Sequence, residues 1–211
     1  MAERNIMIYN NEDEPKKADE ESASPEPFTD DEGEPLIGLV GEITEEATQQ
    51  IALMMLALNG GKVLNTRGEE EERPEDIEFF ISSGGGSVSE MFTIYDLMQR
   101  VQNHRDIATF GYGKVASAAV PLLASGTPGK RHMAKHARLM LHHCSSNASG
   151  PVPSVRTNFN ELKKVEDMMV EVLAQHSKLS AGEIFNILSR NTDEYFSAEE
   201  ALEMGLVDKI I

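Results

Sequence analysis

From residue 36 onward, short apolar runs alternate with longer stretches in which apolar positions return every three or four residues. Leu36-Ile37-Gly38-Leu39-Val40 predicts a strand, and Thr44 caps a helix that carries Ile51, Met54, Met55 and Leu58 on one face. Ile77-Glu78-Phe79-Phe80-Ile81 predicts the next strand, running into Ser82-Ser83-Gly84-Gly85-Gly86; Ser87-Val88-Ser89-Glu90 then has capping-box spacing for a helix through about Gln102. Ile107 to Tyr112 reads as a buried strand, Ala118 to Ala124 as a short buried helix ended by Gly126, and Ala137 to Leu141 as a strand leading into His142-His143. Asn147 to Pro153 reads as a flexible or extended connection. A long helix follows from about Val155 to Lys178, with Leu162, Val165, Met168, Met169, Val172 and Leu173 at helical spacing. Ser180 with Glu183 and Ser197 with Glu200 open two shorter helices, ending near Arg190 and at Gly205, and Leu206 to Ile210 predicts a last strand. Strands alternating with helices imply an α/β domain with parallel strands and right-handed crossovers.

At 211 residues and 40% hydrophobic, the chain suits one domain with a sizeable core. Its net charge of −17 argues against binding to nucleic acid or anionic membrane, both of which attract basic surfaces. Residues 1–35 hold twelve acidic and three basic residues, and read as a disordered, solvated arm ahead of a folded domain at 36–211. A second acidic stretch, Arg67 to Pro74, reads as a surface loop. The lack of an apolar run of membrane-spanning length or of a signal-peptide core predicts a cytoplasmic protein. The single cysteine, Cys144, has no partner for an internal disulfide, in keeping with a reducing compartment.

The segment Gly113-Lys114-Val115-Ala116-Ser117-Ala118-Ala119 sets a serine between small residues where a strand gives way to a helix. Pro121 keeps that helix from starting much before Ser117, since proline is tolerated only in a first turn. Backbone amides at a helix start favour the negative charge that develops on an attacked carbonyl. Taken alone, Ser117 is more simply a helix cap. A hydroxyl nucleophile needs a base, a group to orient the base, and donors for the oxyanion. His142 is placed to be the base, Asp193 to orient it, and the amides of Gly86 and Ala118 to form the oxyanion hole. Each also has a plainer reading: a structural histidine, a solvated loop aspartate, a glycine turn or phosphate cradle. Metal sites at His132/His136 or His142/His143/Cys144 are a weaker alternative, because neighbouring strand residues face opposite ways.

Taken in order, the motifs resemble those of the proteolytic subunit of the ATP-dependent Clp protease, the ClpP family. Phe80-Ile81-Ser82-Ser83-Gly84-Gly85-Gly86-Ser87-Val88 is similar to its N-S-P-G-G-S-V segment, Ile94 to Gln99 to I-Y-D-x-M-Q, and Gly113 to Ala119 to the nucleophile segment G-x-A-A-S. Ala124-Ser125-Gly126 and Gly129-Lys130-Arg131 resemble A-x-G and G-K-R, and Arg138 to His142 resembles R-x-M-I-H. Asp193 to Ala201 and Gly205 to Asp208 resemble D-x-x-x-S-A-x-E-A and Y-G-L-V-D. The resemblance implies a crotonase-like α/β fold of repeated β-β-α and βαβ units with a protruding handle helix at 155–178. It also implies a Ser117-His142-Asp193 serine endopeptidase, and peptides bound as an added strand beside Gly85, Gly86 and the backbone at His143. Stacked seven-subunit rings, a homo-oligomeric tetradecamer, would enclose these sites, and an AAA+ unfoldase of the ClpX or ClpA kind would feed unfolded polypeptides to them. No cofactor is called for.

Three departures stand out: Gly84 where the family usually has proline, Lys114-Val115 ahead of Ala116-Ser117, and His143-Cys144 in place of Gln-Pro. Val115 is expected to crowd the oxyanion hole, and the family's pore-lining N-terminal segment has no recognisable counterpart in the acidic arm. A catalytically idle ring subunit and a crotonase-type acyl-CoA enzyme are the alternatives; the former has no need of an intact serine, histidine and aspartate, nor has the latter.

Overall fold

The computed structural model describes residues 28–29, 35–59, 62–64, 70–72, 76–146, 149–190 and 192–211. Most of the acidic arm at 1–35, the Arg67 to Glu69 and Arg73-Pro74 parts of the acidic stretch, and Asn147-Ala148 lie outside the described residues. In chain order the elements are β1 (Phe28–Thr29), β2 (Pro35–Ile43), α1 (Glu45–Leu58), β3 (Lys62–Leu64), β4 (Glu70–Glu72), β5 (Ile77–Gly86), α2 (Val88–Val101) and β6 (Ile107–Ala116). They continue with α3 (Ala119–Ala124), β7 (Arg131–Met133), β8 (Arg138–Leu141), α4 (Val152–Gln175), α5 (Ala181–Leu188), β9 (Glu194–Phe196), α6 (Ala198–Glu203) and β10 (Lys209–Ile210).

Among the described residues, the main sheet runs β1-β2-β5-β6-β7-β10, with β8 also paired to β6 and β9 paired to β8. The pairs β2·β5, β5·β6, β6·β7, β6·β8 and β7·β10 are parallel, as helices between successive strands require. Two pairs are antiparallel: β1 against β2, inside the range read as arm, and β9 against β8. The acidic stretch is also not all loop, since Glu70–Glu72 pairs antiparallel with Lys62–Leu64.

Alternation along β5 buries Ile77, Phe79 and Ile81 beneath the helices, and α1 packs beside α2 through Ile51, Met55, Met91, Ile94 and Met98. The opposite face of the sheet carries a stacked row, with ring centroids 5.0 Å apart for Phe80 and Phe110 and 4.6 Å for Phe110 and His132. Capping follows the sequence pattern. Thr44 accepts from the Ala47 N–H, and Ser180 and Ser197 form complete capping boxes. At Ser87 only half a box forms: the hydroxyl accepts from the Glu90 N–H while also bonding Ser89 Oγ. The long helix begins three residues earlier than its apolar stripe suggests, with Pro153 accommodated in its first turn where no amide donor is needed, and it ends at Gln175.

β6 is central to the site because its outer edge serves two strands in succession. Thr109 to Gly111 pair with β7, and Lys114 to Ala116 pair with β8. The switch falls at Tyr112-Gly113, where Gly113 takes φ +59° and β6 carries extra residues relative to the Ile81–Ser83 stretch of β5. At the far edge of the sheet Arg131 and Asp208 lock β7 to the turn before β10. Arg131 Nη2 and Nε donate to the two Asp208 oxygens at 2.6 and 2.8 Å, and the Gly129 N–H donates to Oδ2 at 2.7 Å.

Burial works to raise the Asp208 pKa, but the Arg131 guanidinium and the backbone donors outweigh it and hold the carboxyl below its usual value. A depressed folded-state pKa means stability that is present above the unfolded carboxylate pKa and is lost as pH falls through the folded one. The expected outcome is that Asp208→Asn lowers stability at pH 7 by about 3 kcal/mol, with the gap to wild type closing in strongly acidic buffer. Urea unfolding at a series of pH values checks it.

Candidate active site

Ser117 follows the last residue of β6 and precedes the turn into α3. Its φ of +55° is the left-handed conformation, the one non-glycine instance among the described residues. The bend is held on both sides: the Ser117 N–H donates to Met140 O at 2.8 Å, and the Ser117 carbonyl accepts from the Val120 N–H at 3.0 Å. The helix cap is Ala118, with no side-chain capping bond. The Ser117 hydroxyl is therefore not spent on capping, and lies 2.8 Å from His142 Nε2.

His142 is the first residue beyond β8, and its Nδ1 lies 3.2 Å from Asp193 Oδ1. An ionised carboxylate only accepts, so Nδ1 carries the ring proton and Nε2 presents its lone pair to the serine hydroxyl. The register explains the meeting. β8 pairs antiparallel with β9 so that Leu141 faces Glu194, and one more step along both strands sets His142 opposite Asp193. On its other edge β8 pairs with β6, Met140 opposite Ala116, which brings Ser117 alongside. Three separate stretches of sequence thus deliver a hydroxyl, an imidazole and a carboxylate in hydrogen-bonded line, an arrangement able to take a proton from the hydroxyl as it attacks.

The glycine segment closes in from β5. A Cβ on Gly85 would stand 2.7 Å from Ser117 Cβ and 2.8 Å from Ala116 O, so only glycine permits this approach; its φ of +92° makes the same demand. Gly85 donates its N–H to the buried Ser83 Oγ at 3.0 Å, which fixes the turn. Gly86 lies on the β2 side, where a Cβ would meet the Ile43 backbone at 2.5 Å.

Two of the sequence departures meet in space. With no side chain at Gly84, Lys114 Nζ comes to 3.2 Å from where a Cβ would be. Val115 is fully buried and points into the core by Gly111, so it does not crowd the Ala118 amide as expected from sequence. His142 and His143 diverge to different carboxylates, Asp193 and Glu166, and among the described residues no group of three or more His, Cys, Asp and Glu is gathered as a metal would need. His132 stacks on Phe110 and is not joined with His136 in such a group.

Sequence reading passed over Ser83 and Glu166. Ser83 gave no signal beyond its place before the glycines. Glu166 did, since it falls on the apolar stripe of α4, four residues after Leu162 and three before Met169. A cleft of about 340 Å³ lies away from this constellation, lined by Arg131, His176, Lys178, Gly205 and Asp208. No described helix is long and apolar enough to cross a membrane.

Comparison with known proteins gives this geometry a context. The chain is 38% identical over 143 residues to the ATP-dependent Clp protease proteolytic subunit 3 of Frankia casuarinae, covering 68% of this chain and 65% of that protein. It is 32% identical over 180 residues to subunit 2 of the Corynebacterium efficiens protease, covering 84% and 82%, and 32% identical over 176 residues to subunit 2 from Bifidobacterium longum, covering 83% and 78%. The chain thus spans just under two thirds of the Frankia protein and about four fifths of the other two. The sequence pattern of the Clp protease family matches residues 32–211, nearly all of the described fold, and the chain belongs to that family.

Proposed function

We propose that this chain is a serine endopeptidase, the proteolytic subunit of a Clp-type chambered protease that cleaves unfolded polypeptides supplied by an AAA+ unfoldase. The observation that carries the reading is the hydrogen-bonded line from Ser117 Oγ through the His142 ring to Asp193. Ser117 Oγ attacks the peptide carbonyl carbon while its proton passes to His142 Nε2, and Asp193 stabilises the imidazolium and keeps the ring oriented. The tetrahedral intermediate collapses as His142 gives the proton to the leaving amine, and an ester to Ser117 remains. Water, deprotonated by the same His142, then attacks the ester, and the second collapse releases the carboxylic acid and restores the serine.

Oxyanion stabilisation falls to the amides of Ala118, where α3 begins, and Gly86. Support for Gly86 comes from its neighbour: the Ser87 N–H donates to Ile43 O, towards β2, so the alternation of amides along an extended segment turns the Gly86 N–H to the edge on which Ser117 lies. A substrate strand added beside Gly85 and Gly86, and along the backbone at His143, sets its scissile bond against Ser117. Assembly into a homo-oligomer of stacked seven-subunit rings is supported by the handle: α4 leaves Val152, Phe159 and Met168 exposed along its length. Enclosure suits the chemistry, because a site that reads mainly backbone discriminates little and must be guarded by access.

A fluorophosphonate probe is expected to label the wild-type chain and not Ser117→Ala, whose peptide hydrolysis drops at least about a thousand-fold; labelling that persists in the variant would sink the assignment. Gly85→Ala is expected to keep a cooperative thermal transition but to lose peptide hydrolysis by on the order of a hundred-fold, because the new methyl displaces Ser117. A wild-type rate in that variant would contradict the close approach. Mass photometry is expected to find active protein as ring-sized particles, and peptidase activity in a monomer would contradict the assembly.

A further inference from the structure

The buried positions of α4, Met169, Val170, Val172 and Leu173, all lie in its last third, and upstream of them the helix leaves the body of the domain. Glu166 stands one turn before the first of these, at the point of departure. Its side chain is only 20% exposed, and its carboxylate is turned towards the stretch that follows β8. Glu166 Oε1 accepts the Cys144 N–H at 3.3 Å and lies 3.1 Å from His143 Nδ1. A single carboxylate oxygen therefore holds the two residues immediately after His142. Residues 142–146 belong to no helix or strand, so no backbone ladder does this for them.

Cys144 makes the tether possible. In the pattern this sequence resembles, proline stands at that position, and proline has no N–H to give. The Cys144 side chain packs against the core, and burial, with the Glu166 carboxylate adding to it, pushes the thiol up to about 11. It stays protonated and contributes packing and a backbone donor, not a nucleophile.

We infer that Glu166 is a positioning residue for His142, tying the histidine's exit segment to the base of α4 so that Nε2 stays on Ser117. His142 is then fixed from three directions: β8 behind it, Asp193 on Nδ1, and the anchored His143-Cys144 pair ahead. The inference rests on the peptidase reading, and its test separates the two. In wild type, Glu166→Ala and Glu166→Gln, the rate of fluorophosphonate labelling at Ser117 is measured with kcat and KM for a short fluorogenic peptide, the melting temperature and the particle mass. Glu166→Ala is expected to lower the labelling rate and kcat about ten-fold, with melting temperature and particle mass near wild type. Glu166→Gln keeps an oxygen for the Cys144 N–H and is expected to recover most of the loss. A wild-type labelling rate in Glu166→Ala overturns the inference, as does a Glu166→Gln variant that falls as far as the alanine one. Should Glu166→Ala not assemble, Glu166→Asp replaces it: the charge is kept but the carboxylate falls a methylene short, so the same drop is expected and a wild-type rate overturns the tether. A wild-type chain that is not labelled at Ser117 defeats the peptidase reading itself, whereas a labelled wild type matched by its Glu166 variants defeats only the tether.

Discussion

The register of a four-residue strand governs the site. β8 has β6 on one edge and β9 on the other, and the three chemical groups leave the ends of these three neighbours. Because strand side chains alternate between faces, a slip of one residue in either pairing would turn a partner away from His142. Such a short strand cannot hold its register alone. Leu139 and Leu141 are buried, Arg138 and Met140 are not, and this alternation fits only one of the two possible phases. The same core that stabilises the fold therefore also sets the phase in which the chain leaves β8 at His142.

Backbone conformation adds a second layer. A serine in the left-handed region costs about 1–3 kcal/mol, and it persists where the surroundings leave no other choice. Here the Met140 carbonyl grips the Ser117 amide, the six buried residues of α3 follow at once, and Gly85 presses from the other side. The tolerance of the neighbourhood is uneven. Position 85 admits no side chain, while position 84, next to it, faces outward and leaves room for Lys114. Two of the departures from the family pattern thus occupy one location on the rim, and the third, His143-Cys144, is bound to Glu166 on the opposite flank.

Much of this was legible from the apolar pattern, and what was not has physical causes. The strand-helix alternation, the capping residues and the glycine segment are local signals, and local rules read them. β7 and β9 are three residues each, too short for any period to declare itself, and Glu194 to Phe196 has no fully buried position. β9 is held by its pairing with β8, and that pairing is what brings Asp193 to His142; sequence motifs could suggest that the residues meet but not why. The full lengths of β5 and β6 were also hidden, because their glycine-rich ends look like turns and are paired strand. The inward turn of Val115 has a related cause: with β6 running through to Ala116, its side chain alternates into the core and not toward the turn. Glu166 shows the reverse, a polar residue on an apolar stripe whose meaning appears only when the end of β8 is laid against it.

The late position of β9 has a consequence for how the molecule comes into being. A ribosome makes β2, β5, β6 and β8 before it makes Glu194 to Phe196, so a growing chain can already hold its serine and its histidine while the aspartate has yet to be added. During that interval the imidazole has no carboxylate to choose its tautomer. The order of the elements along the chain therefore leaves the last member of the hydrogen-bonded line to be added after the other two.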